Sequence, residues 1–327
     1  MKKTICGFMM WTTACQICPV CGQDAVLSQF MFDNLSVNPA LAGINDYHKM
    51  TVGFRDQQQA YRTYFLSYDR NIDGINSGIG VQVFGDVGGG IYSRTSAELM
   101  YSYRFKPSRH LTVAAGLQAA AVQRSINVSG LTLPDNNPYT GSGNSESLSN
   151  RSAWFPDFGC GLVVNYADRY SAGMAAHHLN GPVETLSEIN KKRTPLSLSA
   201  HFISYFPLRF GKFYSQKMVF SPGFYFRKQQ YQNFFSIGAN VAYNTVFVGV
   251  WSRFAGKFSP ESIIFFAGVE QNHFRFVYNY DHKLSAYANK SFPRTGAHEI
   301  TLVWKIHPKK KMHAIKCSKY SLQLYDR

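Results

Sequence analysis

Alternation between apolar and polar residues is the feature that most restricts how this chain can fold. Phe274, Phe276, Tyr278 and Tyr280 alternate with Arg275, Val277, Asn279 and Asp281. Phe235, Ile237, Ala239, Val241 and Tyr243 alternate with Phe234, Ser236, Gly238 and Asn240. From Arg94 to Phe105, Thr95, Ala97, Leu99, Tyr101, Tyr103 and Phe105 lie opposite Arg94, Ser96, Glu98, Ser102 and Arg104. Successive strand side chains point to opposite faces, so a period of two means a strand with one greasy and one polar face. Repeated this often, with Tyr and Phe on the greasy face, it predicts strands that face lipid outside and water inside.

Composition supports the same class. Aromatic residues make up 15% of the chain and charged residues 16%, against about 25% charged in ordinary soluble domains. The mean hydropathy is slightly negative, −0.21, and no run beyond the start reaches the roughly 18 apolar residues of a spanning helix. In lipid every backbone polar group needs an internal partner, so a chain that crosses without helices must close its strands into a barrel. The fold class is therefore all-β, a transmembrane antiparallel barrel.

Residues 1–22 read as a secretory signal peptide: Lys2 and Lys3 open it, Thr4 to Trp11 is largely apolar, and small residues follow. Cys15, Cys18 and Cys21 are spaced like part of an iron–sulfur or zinc site, but they fall within this leader, where cysteine serves as a small apolar residue. Cys160 and Cys317 remain in the mature chain, one in a strand and one in a tail, and are not expected to pair. No metal and no cofactor is expected. Losing Lys2 and Lys3 lowers the formal charge from +15 to +13. Much of the excess lies after Lys305, including the run Lys309-Lys310-Lys311. Such a tail suits anionic glycans, lipid, an acidic partner or peptidoglycan, or is simply solvated. In an exported chain nucleic acid is not an expected partner.

Turn signals divide the mature chain into fourteen expected strands: 50–57, 61–70, 77–87, 91–105, 110–124, 156–167, 169–177, 195–206, 217–228, 231–243, 246–254, 262–270, 273–282 and 296–306. The longest connections, Ser125–Phe155, Leu179–Thr194 and Lys283–Thr295, all follow odd strands. This is the parity of an outer-membrane barrel with long loops outside and short periplasmic turns. Phe206–Gln216 breaks the parity. The long Ser125–Phe155 loop is either a contact loop or a polar surface loop. The expected organisation is a signal peptide over 1–22, an N-terminal periplasmic segment or plug over 23–49, the barrel over 50–306, and a basic periplasmic tail over 307–327.

A series of landmarks is specific as an ordered set. It begins with Gln29-Phe30-Met31-Phe32-Asp33-Asn34-Leu35-Ser36-Val37-Asn38-Pro39-Ala40-Leu41-Ala42-Gly43. Phe54-Arg55-Asp56-Gln57, Ser77-Gly78-Ile79-Gly80, Phe84-Gly85-Asp86 and Tyr101-Ser102-Tyr103-Arg104 follow. The set ends with Pro156-Asp157-Phe158-Gly159, Ala175-Ala176-His177-His178-Leu179-Asn180 (Pro182 just beyond) and Gly296-Ala297-His298-Glu299-Ile300. Across residues 28 to 306 the chain resembles the PorP/SprF family of the Bacteroidetes type IX secretion and gliding-motility system. The resemblance implies a non-enzymatic barrel that helps surface proteins leave through, or stay attached to, that machinery. It also implies two kinds of partner, cargo with a C-terminal sorting domain and periplasmic lipoproteins. The chain departs from the family pattern at Gln58, where an aromatic residue is common, and in a tail of about twenty residues after the last strand.

Each residue that invites a chemical role has a plainer alternative. Asn38, Pro39 and Gly43 read as a turn before the first strand, either a plug or a docking point for a partner. Arg55, Gln57 and Asp86 belong to the landmark set. Arg94, Glu98 and Arg104 point into the lumen, where charges line a passage or fill and stiffen the barrel. His177 and His178 are expected to point to opposite faces at the outer rim, so they would not share one ion. Ser199 and His201 share a strand face, the raw material of a lipid-modifying enzyme, but many Ser and His residues do so. His298 faces lipid and Glu299 the lumen, as strand-end bonding or a cargo contact. The expected function is a barrel partner of type IX secretion for an adhesin-like cargo. The alternative is a transporter of small hydrophobic molecules, since fatty-acid channels also have fourteen strands.

Overall fold

A computed structural model describes residues 28, 31–57, 61–72, 74–128, 150–184, 192–208, 218–230, 232–256, 258–284 and 296–308. The expected leader with its Cys15, Cys18 and Cys21, residues 129–149, Cys317 and the Lys309–Lys311 run lie outside the described residues.

Fourteen strands form one closed antiparallel barrel. They are β1 (His48–Gln57), β2 (Tyr61–Ile72), β3 (Ser77–Gly88), β4 (Tyr92–Ser108), β5 (Leu111–Ile126), β6 (Arg151–Tyr166) and β7 (Tyr170–His177), followed by β8 (Ser197–Ser204), β9 (Met218–Gln229), β10 (Gln232–Tyr243), β11 (Val246–Ala255), β12 (Ser259–Gln271), β13 (Phe274–Lys283) and β14 (Ala297–Ile306). Neighbours in sequence pair throughout, and β1 closes on β14 from His48↔Ile306 to Asp56↔His298. Each strand is thus hydrogen-bonded on both sides, which removes the edge that lipid does not tolerate. Among the described residues no helix is long and apolar enough to cross a membrane. The barrel is as the alternation predicts, and its fourteen strands are the number that the turn signals predict.

Side-chain direction follows the pleat. Phe274, Phe276, Tyr278, Ile300, Leu302 and Trp304 are exposed on the outer surface, while Arg275, Asn279, Asp281, Glu299 and Thr301 between them are at most 1% exposed. The outer aromatics touch across strands: Phe274 stacks on Trp304 at 5.9 Å, and Phe54 on Tyr64 at 6.5 Å.

Three segments differ from expectation. β6 begins at Arg151 because Arg151–Phe155 pair with Val122–Ile126, so the expected Ser125–Phe155 loop is shorter. β12 begins at Ser259, past a register shift between Arg253 and Phe254. The parity exception at Phe206–Gln216 is partly strand, since Phe206–Leu208 pair with Met218–Phe220 after a break at Tyr205. The long connections 126–151, 177–197 and 283–297 all open at the same end, taken as extracellular.

The lumen is not simply water-facing. Its periplasmic half contains the chain's own residues 31–47, with a one-turn helix at Asn34–Val37 and a 3₁₀ turn at Pro39–Leu41. Met31, Phe32, Val37, Ala40, Leu41 and Ile44 form one buried cluster with wall residues such as Phe247, Trp251, Ile264 and Phe266. Phe32 meets Phe247 and Phe266 at 5.7 and 5.6 Å. The hydrophobic core of this barrel is therefore inside it, between wall and plug. Burying each such side chain contributes about 1.5–3 kcal/mol.

The lipid face yields a direct prediction. Leu302→Arg, near the middle of β14, is expected to destabilise the lipid-reconstituted barrel by about 2–4 kcal/mol, measured by urea unfolding; an unchanged midpoint contradicts the assignment.

Candidate functional site

The landmark segment Asn38–Gly43 is joined to the wall mainly by polar bonds. The Asn38 side chain donates from Nδ2 to the carbonyls of Leu162 and Met174 at 3.1 and 3.0 Å, and its Oδ1 accepts from Ala40 N at 2.9 Å. One residue thereby bridges β6 and β7 and caps the Pro39–Leu41 turn. Wall glycines make room for it: a Cβ at Gly161 would strike the Asn38 side chain, and one at Gly116 would strike the Pro39–Ala40 backbone. Gly43 has φ +58° and packs on the Arg70 carbonyl and Gly78, a place that only glycine fits without strain. Its N–H donates to Asp69 Oδ2 at 3.1 Å. Arg104 donates to the Gly43 and Ser77 carbonyls, each at 2.8 Å, and Ser102 Oγ to the Ala42 carbonyl at 2.6 Å.

Further along the plug, Lys49 Nζ donates to the Phe32 carbonyl at 3.2 Å, and Gln82 Nε2 to Asp33 Oδ2 at 2.7 Å. Burial pushes the Asp33 carboxyl above the usual carboxylate range, opposed by its bond from Ser36, the Lys49 charge and Gln82. At the periplasmic end, Glu270 accepts from Lys305 and from Arg275 Nε, each at 2.7 Å, and Lys305 lies 5.2 Å from the Tyr47 ring.

A second polar site lies near the outer ends of the strands. Arg55 of β1 lies between Asp281 of β13 and Glu299 of β14, at 3.3 and 3.1 Å, and Arg253 of β11 reaches Asp281 at 3.0 Å. All four are buried. Ser28 sits among them: its N–H donates to Glu299 at 3.0 Å, its hydroxyl donates to Asp281 at 2.7 Å, and it accepts from Arg55 and from Arg253, the latter at 3.2 Å. Two cations face two carboxylates, so charge is balanced where desolvation would otherwise be costly.

A family model described as type IX secretion system membrane protein PorP/SprF matches residues 20–304. The chain belongs to this family. A search of curated proteins finds no match. Among solved structures, the chain is similar to the CymD monoaromatic hydrocarbon channel at 13% identity and TM-score 0.47, with 87% of this chain and 94% of that one covered. It is also similar to the Pseudomonas putida toluene transporter TodX (12%, TM-score 0.48, 83% and 93% covered) and to Acinetobacter baumannii Omp33 (6%, 0.47, 81% and 100%).

In this PorP/SprF barrel the landmark residues separate into groups. Asn38, Pro39 and Gly43 are plug residues and, with Arg104, form the periplasmic lock. Arg55 and Glu299 meet in the outer ion cluster, although 244 residues separate them. Gln57 ends β1 at the rim, half-buried. Asp86 Oδ1 accepts from Thr63 Oγ1 at 2.7 Å. Arg94 lies 5.9 Å from the Phe84 ring, and Glu98 accepts from Ser96 and Gln118 at 2.8 Å each. The lumen charges Arg94, Glu98 and Arg104 are thus divided between different levels of the lumen. His298 faces outward and bonds the Tyr278 hydroxyl at 2.7 Å. Pro182 is buried in the outer β7–β8 connection, its carbonyl accepting from Thr194 N at 2.8 Å.

One expectation needs correction. His177 and His178 do not point to opposite faces. His178 follows the strand end with φ +62°, which turns its ring back inward. His177 Nδ1 bonds Gln118 Oε1 at 2.9 Å, and His178 Nδ1 bonds Asp157 Oδ2 at 2.7 Å. Among the described residues no His/Cys/Asp/Glu group has metal-site geometry. Ser199 directs its hydroxyl to the Val37 carbonyl at 3.5 Å, while neither nitrogen of His201 has a hydrogen-bond partner among the described residues, so the two do not form a relay. Ser28, Arg253 and Asp281 are not singled out by the sequence as site residues: for Arg253 and Asp281 the only signal is a charge at a lumen-facing strand position, and Ser28, ahead of the first strand, carries none.

Two substitutions separate the two anchors. Asn38→Ala removes two bonds to buried carbonyls and a cap, with an expected loss of about 2–4 kcal/mol. Arg55→Ala leaves Glu299 and Asp281 buried with less compensation and is expected to cost about 3–5 kcal/mol. Urea unfolding followed by tryptophan emission checks both, and wild-type stability in either variant would remove that anchor from the account.

Proposed function

We propose that this protein is a non-enzymatic outer-membrane barrel of type IX secretion that assists the export or surface anchoring of a secreted, adhesin-like cargo. Its partners in this reading are cargo carrying a C-terminal sorting domain, other type IX components and periplasmic lipoproteins. The observation that carries the reading is the filled lumen within a fully paired wall. Residues 31–47 occupy the periplasmic half, and each strand is hydrogen-bonded to both neighbours. A passage for small hydrophobic molecules calls for an apolar lumen pocket and an opening in the wall. Here the apolar side of the lumen is already covered by Met31 and Phe32. What is left for a partner is the two rims: outer loops carrying exposed Leu179 and Asn180, and periplasmic turns carrying exposed Lys106, Arg109 and Arg169.

Affinity purification of the barrel from native outer membrane, with mass spectrometry of bound proteins, tests this. A secreted protein with a sorting domain and at least one type IX component are expected. Recovery of neither, together with hydrocarbon or fatty-acid uptake dependent on this barrel, would replace the proposal with the transport reading.

A further inference from the structure

Four polar residues of the lumen wall, each 0% exposed, carry atoms with no hydrogen-bond partner among the described residues. The atoms are Asn279 Nδ2 and Oδ1, Thr301 Oγ1, Thr51 Oγ1 and Asp69 Oδ1. The four residues sit on consecutive strands, β13, β14, β1 and β2. The register sets them on one slanting line. Asn279 pairs with Glu299, and Thr301 is the next inward residue of β14 toward the periplasm. Thr301 pairs with Gly53, and Thr51 is the next inward residue of β1 in the same direction. Thr51 pairs with Ser67, and Asp69 is the next inward residue of β2. The same slant brings Gln118 to Glu98 and Lys305 to Glu270 elsewhere in the barrel.

Diagonal neighbours of this kind stand roughly 7 Å apart. Threonine and asparagine side chains are too short to close that gap by a direct bond, and a bridging water closes it. The plug roofs the line: the Phe32 ring lies on Phe266, the partner of Asn279, while the Phe32 carbonyl accepts from Lys49, two positions from Thr51. Gly43 N–H takes the other oxygen of Asp69. Buried polar atoms without partners are costly, and an enclosed water satisfies them with about three hydrogen bonds. An amide, two hydroxyls and one carboxylate, with Lys49 directly opposite that carboxylate, suit water and not a metal ion. We infer that a file of bound water molecules runs between plug and wall along Asn279, Thr301, Thr51 and Asp69. It reaches from the edge of the outer ion cluster, at Glu299, to the Gly43 end of the plug. Between the Ser28 contacts and the bonds of Lys49 and Asp69, the plug is held to this side of the wall through water. The wall at Phe247, Trp251 and Phe266 holds it by dry apolar packing.

Two measurements on the full-length barrel test the water file. A high-resolution crystal structure is expected to show ordered water within about 3.2 Å of at least three of the four side chains. Direct bonds from these side chains to one another or to the plug, or a line without water density, overturn the inference. Thr51→Val and Thr301→Val, made separately, give an independent readout whose sign decides. Valine keeps the shape and removes the hydroxyl, so a water-bonded site loses hydrogen bonds and the urea unfolding midpoint falls. A dry, unpartnered hydroxyl is instead relieved by the same change. Midpoints that stay level or rise in both variants therefore overturn the inference, with heat-modifiable migration confirming that each variant forms the barrel.

Discussion

A closed sheet of fourteen strands surrounds a lumen that its own wall side chains do not fill. The rest of this molecule depends on how that space is occupied. An empty lumen would leave the apolar inner wall around Phe247, Trp251, Ile264 and Phe266 open to water, along with the buried charges of β1, β11, β13 and β14. The segment just before β1 resolves both problems. Met31 and Phe32 cover the apolar wall, Asn38 and Gly43 satisfy strand carbonyls and carboxylates, and Ser28 completes the outer ion cluster. Wall and plug are chemically complementary through the periplasmic half of the lumen, and the glycines at 78, 116 and 161 supply space where a side chain would prevent contact.

This division of labour separates stability from recognition. The outer surface is aromatic and aliphatic because it meets lipid, and the lumen is consumed by internal bonds. Residues that look reactive in isolation are mostly held by such bonds: Glu98 by Ser96 and Gln118, His178 by Asp157, Glu299 by Arg55 and Ser28. In the proposed function, contact with other proteins falls to the loops and turns at the two ends. That suits a component of a secretion assembly, where a barrel serves as a fixed platform.

The strands were legible because lipid demands an apolar residue at alternate positions, as in Phe274–Asp281, and because turn residues mark where each strand ends, which together give the fourteen. Loop parity was legible for the same topological reason. The filling was not. A lumen-facing Arg or Asn carries the same alternation whether it meets water or a plug, so Arg55, Arg104 and Asn279 gave no hint of what lay opposite. The Asn38–Gly43 turn was readable as a turn, yet its partners are up to 136 residues away along the chain. Two local failures have local causes: a left-handed backbone at His178 reverses the expected face, and a break at Tyr205 conceals the strand pairing of Phe206–Leu208.

The central claim is that the chain's own N-terminal segment closes the barrel. Ion conductance of the purified, full-length protein in planar bilayers tests it most directly, compared with a chain from which residues 31–46 have been deleted. The account predicts little or no steady conductance from the intact barrel and stable open channels from the deleted one. Open-porin conductance from the intact protein, unchanged by the deletion, would contradict it.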